Sequence, residues 1–482
     1  MLNKSRGASS VPRGTPLSPK EKVLLALVLC QISLSIWAIA LTHLWSQFLF
    51  ASLSVTGFIL CFLPSDKSTA PIDSFPAREL LRYPLFWSGL LLMTYITIQG
   101  FNTAYTYESN SESWKLVAKD HVGWLPSSLA TPFSNLNPWR MLMYLAAPWL
   151  FLCYSYIGLN RRRSVLILLW TVWIQSILFC VLAILQKNTA AEGIFWTWEV
   201  HPNFFGSVPY KNRGAAILYV MMGSSIALYF YHLRDMRQRM KKSGPHLIVM
   251  LGIFLQYGTL WTSFSRGGIA IGSVLFGIFV ASSLAIHFGK SESPLLKWGA
   301  VFIFIALSIG AIYTVKDLPG FEISIARFNE VEEDAKNNDF SGRLMPSKIT
   351  WQMFEHRKWY GWGAGSWRYV FEYYLKDYPE VQYVNGVRLR WEDAHNDWFQ
   401  YLSELGVIGA SILLSFVLRP VIRFVKRIRT IRATHIVLVA TLIGAVVHAS
   451  IELLFQNMAL LCLIAFSILL LEKLSLNRIR TK

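Results

Sequence analysis

Apolar residues occur along this chain in long runs that are separated by short polar segments. A helix that crosses a membrane needs about 20 mostly apolar residues, because lipid offers no hydrogen-bond partner to its backbone. The pattern therefore predicts about twelve membrane-spanning helices in an all-α polytopic protein. The predicted spans are 23–43, 45–64, 84–102, 141–158, 165–185, 214–233, 246–263, 268–287, 298–315, 400–418, 435–453 and 456–472.

A long polar insertion, 316–395, separates the ninth and tenth predicted spans. Connections of this length are usually either functional or disordered, and its many aromatic residues favour a folded lid. SGRLMPSKITWQMFEHR at 341–357 predicts an amphipathic helix, and GWGAGSW at 361–367 predicts a glycine-rich turn between helices. A shorter insertion, 103–139, precedes the fourth span.

The composition supports a membrane protein. Of the 482 residues, 54% are hydrophobic and 15% are charged, whereas about a quarter of the residues in a typical soluble protein are charged. No repeat or linker divides the chain, so we interpret 1–482 as one membrane domain.

The net charge of +18 is explained by the excess of basic residues that membrane proteins carry on their cytoplasmic side. Lys and Arg accumulate in cytoplasmic loops, and here they concentrate in alternate loops and at both ends of the chain. The pattern predicts that both termini are cytoplasmic and that 316–395 is periplasmic. The basic residues thus mark one side of the membrane and do not indicate nucleic-acid binding. The first apolar run is expected to remain as an anchor, because no signal-peptide cleavage site follows it.

Three polar sites fall at the outer ends of predicted spans. His395 and Asn396 precede the tenth span, Arg266 lies in the turn TSFSRGG (262–268), and Lys211 and Arg213 lie in PYKNRGAAI (209–217). Charge at a membrane boundary is costly and therefore indicates function. Alternatively, each arginine extends to the interface and His395 only caps a helix. The convergence of three sites on one face favours function.

The residue types suggest a chemistry. Arginine binds phosphate or carboxylate oxygens through a planar fork of donors. A histidine at a helix start is disfavoured as imidazolium by the helix dipole, so it is available as a general base. Asn396, Gln400 and Glu404 form a polar stripe at helical spacing. Three acids lie beside His395, namely Glu392, Asp393 and Asp397. They could orient the imidazole ring, solvate the loop or bind a metal, and of these we do not expect a metal site.

HNDWFQYLSELGVIG, which begins at His395, resembles the signature of the O-antigen ligase and polymerase superfamily, the bacterial membrane glycosyltransferases with a Wzy-C-type domain. Further elements agree in order. They are YKNRGAA at 210–216, SRG at 265–267, SGR at 341–343, Trp351 and the glycine-rich turn. The resemblance covers about 200–455, and the chain departs from the family pattern at Asn212–Arg213.

The resemblance implies a membrane-glycosyltransferase fold in the bacterial inner membrane, with a periplasmic active site and a donor glycan on undecaprenyl pyrophosphate. Arg266, Arg213 and Lys211 would bind the pyrophosphate. His395 would activate the acceptor hydroxyl, and transfer would proceed with inversion. The supporting residues would be Asn396, Glu404, Arg343 and Trp351. No cofactor, metal or nucleotide sugar is implied.

Several functions are compatible with these motifs. A ligase would transfer the glycan to lipid A–core, a polymerase would extend a growing polysaccharide, and an oligosaccharyltransferase would modify a protein. The ligase-like activity is preferred because the signature is typical of it. A transporter is less favoured, since the sequence shows no inverted repeat and no charged relay inside the membrane.

Overall fold

The computed structural model describes residues 16–64, 76–109, 114–200, 203–240, 243–288, 341–379, 391–426 and 432–476, together with 299, 302, 305, 383–384 and 387–388. Most of these residues are helical. The α-helices are α1 (Pro19–Trp37), α2 (Leu44–Phe62), α3 (Pro76–Leu81), α4 (Pro84–Phe101), α5 (Pro138–Gly158), α6 (Arg162–Asn188), α7 (Lys211–Gln238), α8 (His246–Trp261), α9 (Arg266–Phe288), α10 (Ser341–His356), α11 (Trp367–Tyr374), α12 (Asp397–Lys426), α13 (Ala433–His448) and α14 (Met458–Leu476).

The helices agree closely with the predicted spans. The predicted span 298–315 lies almost wholly outside the described residues, and each of the others coincides with a helix. By length and apolar composition, six of the described helices could cross a membrane, namely α2, α5, α6, α7, α9 and α12. The helices α8 and α13 are apolar but shorter. The molecule is thus a helical membrane protein, and the number of twelve spans stays a prediction.

The centre of the bundle is α7. Within its most apolar window, 94% of the residues are buried, whereas a helix on the outside of a bundle exposes one face to lipid. Small residues on α7 permit close packing: a Cβ added to Gly223 would lie 2.1 Å from the Thr441 hydroxyl of α13. Because α7 begins at Lys211, this central helix carries Lys211 and Arg213 in its first turn.

Residues 341–379, which we call the lid, form a folded unit on one end of the bundle. Ile349 and Met353 of α10 share a small apolar core with Trp367 and Phe371 of α11. The helix predicted at 341–357 is present and ends at His356, and the predicted glycine-rich turn follows it. Residues 316–340 of the predicted insertion lie outside the described residues, and its periplasmic location stays a prediction.

Gly406 lies within α12 where the lid packs closely against this helix. Its φ of 64° and ψ of −175° interrupt the helix, in a region that is almost restricted to glycine. A Cβ at this position would lie 2.3 Å from the Trp359 carbonyl oxygen. The break lets the amides of Trp362 and Gly363 donate to the carbonyls of Ser403 and Glu404 at 2.9 and 2.8 Å.

The all-α expectation is wrong for the insertion at 103–139. There, β1 (Thr103–Ser109), β2 (Trp114–Ala118) and β3 (Ser128–Ala130) form a sheet with the order β2-β1-β3. β1 pairs antiparallel with β2 and parallel with β3. The threonine and aromatic residues of TAYTYES are typical of strands, and the membrane-span pattern gave no information about this segment. Two-residue strand pairs occur at β4 (Gly193–Ile194) with β5 (Trp198–Glu199), and at β6 (Tyr383–Val384) with β7 (Val387–Arg388).

Candidate active site

His395 precedes α12 by two residues and has an unusual backbone. Its φ of 51° is left-handed, a region that non-glycine residues seldom adopt. The Asn396 side-chain oxygen accepts a hydrogen bond from the Phe399 amide at 3.1 Å, so Asn396 is the N-cap of α12. The imidazole therefore belongs to the turn before the helix and not to its first turn.

The start of α12 is bound to the segment between α13 and α14. The Asp397 amide donates to the Ala449 carbonyl at 2.9 Å. In return, Oδ2 of the buried Asp397 accepts from the amides of Leu454 and Phe455, both at 2.7 Å. Three hydrogen bonds thus hold the His395 turn against residues 449–455.

Glu452 lies in that segment and faces the imidazole. Its Oε2 is 3.8 Å from His395 Nδ1, and its side chain is only 4% exposed. The Tyr210 hydroxyl donates to the same oxygen at 3.1 Å. The Trp391 ring packs edge to face against His395 at a centroid distance of 6.1 Å. The separation of 3.8 Å is longer than a hydrogen bond, so the carboxylate lies at ion-pair distance from Nδ1.

Asp393 lies between two arginines beside this histidine. Arg213 Nη2 is 3.7 Å from Asp393 Oδ2, and Arg368 Nη2 is 3.6 Å from Asp393 Oδ1. Arg213 also donates through Nε to the Leu453 carbonyl at 2.9 Å. α7 and the lid therefore meet at one carboxylate, the two arginines exceed its charge by one, and Arg213 also connects α7 to the α13–α14 segment.

The other two predicted cations, Lys211 and Arg266, lie at the starts of α7 and α9. Lys211 is buried, and its Nζ is 3.4 Å from the Asn203 side-chain oxygen.

Arg266 is partly buried at the first position of α9. A Cβ on the next residue, Gly267, would lie 2.5 Å from His448 Nε2, and one on Gly268 would lie 2.5 Å from the Ala215 Cβ. The start of α9 is thus packed between the first turns of α7 and the end of α13.

The polar stripe on α12 supports the site from the lid side. The Gln400 side-chain oxygen accepts from the Ala394 amide at 3.0 Å, and its Nε2 is 3.3 Å from Asp393 Oδ1. The buried Glu404 accepts from the amides of Gly365 and Trp367 at 3.0 and 3.1 Å. The predicted support role of Glu404 is thus a structural contact between α12 and the glycine-rich turn.

Two predicted supporting residues lie in α10. The side chain of Arg343 lies outside the described residues. Trp351 is 41% exposed and packs against Phe399 of α12 with a centroid distance of 5.5 Å. Trp351 therefore contacts the helix that follows His395 and not the imidazole itself.

Sequence reasoning missed Glu452, Arg368 and Tyr210. Glu452 was assigned to the predicted span 435–453, which is wrong at its end because α13 finishes at His448. A carboxylate at the end of an apolar run is costly, and this signal could have identified it. Arg368 had no comparable signal, because its place beside Asp393 depends on how the lid folds.

The arrangement has the components for proton transfer beside an anionic group. An imidazole with a carboxylate at Nδ1 is the usual pair for removing a proton from a hydroxyl. The adjacent arginines provide forked donors for phosphate oxygens. Within the described ranges, no three His, Cys, Asp or Glu side chains are grouped as metal ligands.

Comparison with known families agrees with the motifs. Residues 248–414 match the family model described as O-antigen ligase. The matched range includes Arg266, the lid and His395, whereas Arg213 and Glu452 lie outside it. No curated protein matches the chain. The family match confirms the resemblance over residues 248–414.

Proposed function

Since the chain carries a domain of the O-antigen ligase family, we propose that it transfers a glycan from an undecaprenyl-pyrophosphate-linked donor to an external acceptor. The observation that carries this proposal is the contact of His395 with Glu452, beside the two arginines that share Asp393. A base and a cationic anchor at one end of an apolar bundle suit a donor with a lipid tail and a charged head.

In the proposed reaction, His395 Nε2 takes the proton of the acceptor hydroxyl as its oxygen attacks the anomeric carbon of the donor sugar. A carbon–oxygen bond to the acceptor forms, and the bond from that carbon to the pyrophosphate oxygen breaks. Attack opposite the leaving group inverts the configuration. Glu452 holds the imidazole tautomer and stabilises the imidazolium that is produced.

The leaving pyrophosphate gains negative charge as its bond breaks. Arg266, Arg213 and Lys211 are proposed to bind it, and stabilisation of developing charge by fixed donors is a major contribution to catalysis. Arg368 is a further candidate, because it shares Asp393 with Arg213. The pairing with Asp393 also gives Arg213 a structural role, since it fixes the loop that precedes His395.

An apolar cavity supports a lipid-linked donor. It extends along α12 from Trp398 to Val417 and is also lined by Phe455 near the site. Trp398 and Phe455 follow Asp397 and Glu452 closely in sequence, so the cavity begins next to the polar groups. Charged residues at one end and an apolar cavity beside them suit a donor in which a pyrophosphate is attached to a polyprenyl chain.

The acceptor is proposed to be lipid A–core, with a growing polysaccharide or a protein as alternatives that use the same proton transfer. The test is a deletion strain whose surface glycan and carrier-linked glycan are compared with the parent. If the chain is a ligase, the deletion strain should keep long polymer on the carrier lipid. The native gene should restore the parental surface glycan, and the His395→Ala gene should not. A single repeat unit on a normal acceptor would indicate a polymerase, and a normal glycan profile would overturn the proposal.

A further inference from the structure

A second cavity, which is lined by charged residues, lies at the opposite end of α7 from Lys211. It has a volume of about 520 Å³ and is enclosed by the end of α7, the end of α9 and the beginning of α13. Arg234 and Arg237 of α7 line it together with Arg432, which precedes α13. Neither the family match nor the transfer reaction assigns a role to this cavity.

The length of α7 is compatible with a position of the cavity in a headgroup layer. α7 has 28 residues, which corresponds to about 42 Å at the helical rise. A bilayer with its headgroups is about 40–45 Å thick. If one end of α7 lies at the level of the Arg213 site, the other end lies among the phosphates of the opposite leaflet.

The lining of the cavity is strongly cationic. It contains three arginines and, among the described residues, no carboxylate. The nearby Asp235 instead pairs with Arg239 at 3.0 Å and with Arg162 at 4.0 Å. Arg237 Nη2 donates to the Ile286 carbonyl of α9 at 3.4 Å, which fixes this guanidinium against the cavity wall.

Two further features suit a phosphate on a lipid. α13 begins at Ala433 without a side-chain cap, so its N-terminus adds a favourable potential for an anion. The cavity is also lined by Phe230, Leu233 and Ile286, which offer an apolar surface beside the charges. Basic pockets between transmembrane helices bind anionic lipid headgroups in this manner.

We propose that this cavity binds the phosphate headgroup of an anionic phospholipid, such as cardiolipin or phosphatidylglycerol, from the leaflet opposite His395. The phosphate lies against Arg237 and Arg432, and the start of an acyl chain packs on Phe230. This inference is independent of the transfer reaction and holds whether or not the chain is a ligase.

The experiment is a titration of the purified full-length protein in detergent with cardiolipin, followed by native mass spectrometry. Phosphatidylcholine and inorganic pyrophosphate are titrated in parallel. Each arginine near a lipid surface contributes about fivefold in affinity, so the Arg237→Gln/Arg432→Gln protein should bind cardiolipin about 25-fold more weakly. Arg163→Gln, an exposed basic residue outside the cavity, should leave the affinity unchanged.

A third variant separates binding from folding. Thr434→Glu adds a carboxylate to the cavity lining at the start of α13, where an acid stabilises a helix. It should weaken cardiolipin binding without lowering the thermal midpoint of the lipid-free protein. Equal cardiolipin affinity in all variants would overturn the proposal. Pyrophosphate binding as tight as cardiolipin binding would overturn the assignment to a lipid.

Discussion

Glu452 and His395 are the two residues on which the proposed chemistry depends most. The sequence indicated His395, because a polar cluster precedes an apolar run. It could not indicate the contact with Glu452, which depends on the turn that follows α13 and on the hydrogen bonds that the Leu454 and Phe455 amides donate to Asp397. Residue type suggested the base, and tertiary packing supplied its partner.

Glu452→Gln tests this partnership. The variant keeps the side-chain size and removes the charge that lies 3.8 Å from Nδ1. Transfer should fall by about 10²–10⁴-fold, as when the carboxylate that orients a catalytic imidazole loses its charge, while donor affinity stays the same. Initial rates with the purified enzyme measure the effect, and Glu355→Gln, an exposed acid on α10, is the matched control. An unchanged rate would show that Glu452 has only a structural role.

Arg266 tests the assignment of the pyrophosphate. Arg266→Ala should abolish transfer and leave the amount of protein in the membrane unchanged. Arg266→Lys should restore only part of the activity, because an ammonium cannot reproduce the two-donor fork. Transfer assays in membranes with matched protein levels measure this, and Arg163→Ala serves as the control. Full activity of the Ala variant would reduce Arg266 to an anchor of its turn.

At the scale of elements, the lid and α12 depend on each other. The sequence predicted the helix at 341–357, the glycine turn and the polar stripe, since each has a local signature. The break at Gly406 was not predicted, because a single glycine in an apolar helix has several possible roles. The position requires glycine because the backbone of Trp359 and Tyr360 approaches α12 too closely for a Cβ.

Glu404→Ala tests the connection between these elements. Removal of the carboxylate leaves the buried amides of Gly365 and Trp367 without their acceptor, which costs about 1–3 kcal/mol for each. We expect a lower thermal midpoint and faster hydrogen exchange at these two amides, and Glu355→Ala is the exposed control. Unchanged exchange would mean that other contacts suffice to hold the glycine-rich turn.

At the scale of the whole molecule, α7 connects two different polar regions. Its first turn carries Lys211 and Arg213 beside the candidate site, and its last turns carry Arg234 and Arg237 in the second cavity. The hydrophobic pattern predicted where the helices lie, because membrane spans are dictated by length and apolarity. It contained no information on which helix is central, since that is decided by side-chain packing.

The distribution of Lys and Arg predicts how the molecule is oriented. A topology reporter fused after Arg163, Lys242 or Arg429 should be located in the cytoplasm, and one inserted near Lys336 should be located in the periplasm. Activity of paired cytoplasmic and periplasmic reporters measures this. A cytoplasmic location for the Lys336 insertion would place His395 on the wrong side for an external acceptor.

The proposed mechanism requires that His395 acts in proton transfer and not in donor binding. Asn396→Ala is the neighbouring control. It removes the cap of α12 at a cost of about 1 kcal/mol and should lower the transfer rate far less than His395→Ala does. This comparison separates the effect of losing the imidazole from the effect of disturbing the turn that carries it.

The most direct test measures transfer of an undecaprenyl-pyrophosphate-linked glycan by purified native and His395→Ala proteins, with donor binding measured in parallel. We predict a loss of about 10²–10⁴-fold in the rate and nearly unchanged donor affinity. Loss of donor binding in step with the rate, or full activity of the variant, would contradict the role of His395 as the base.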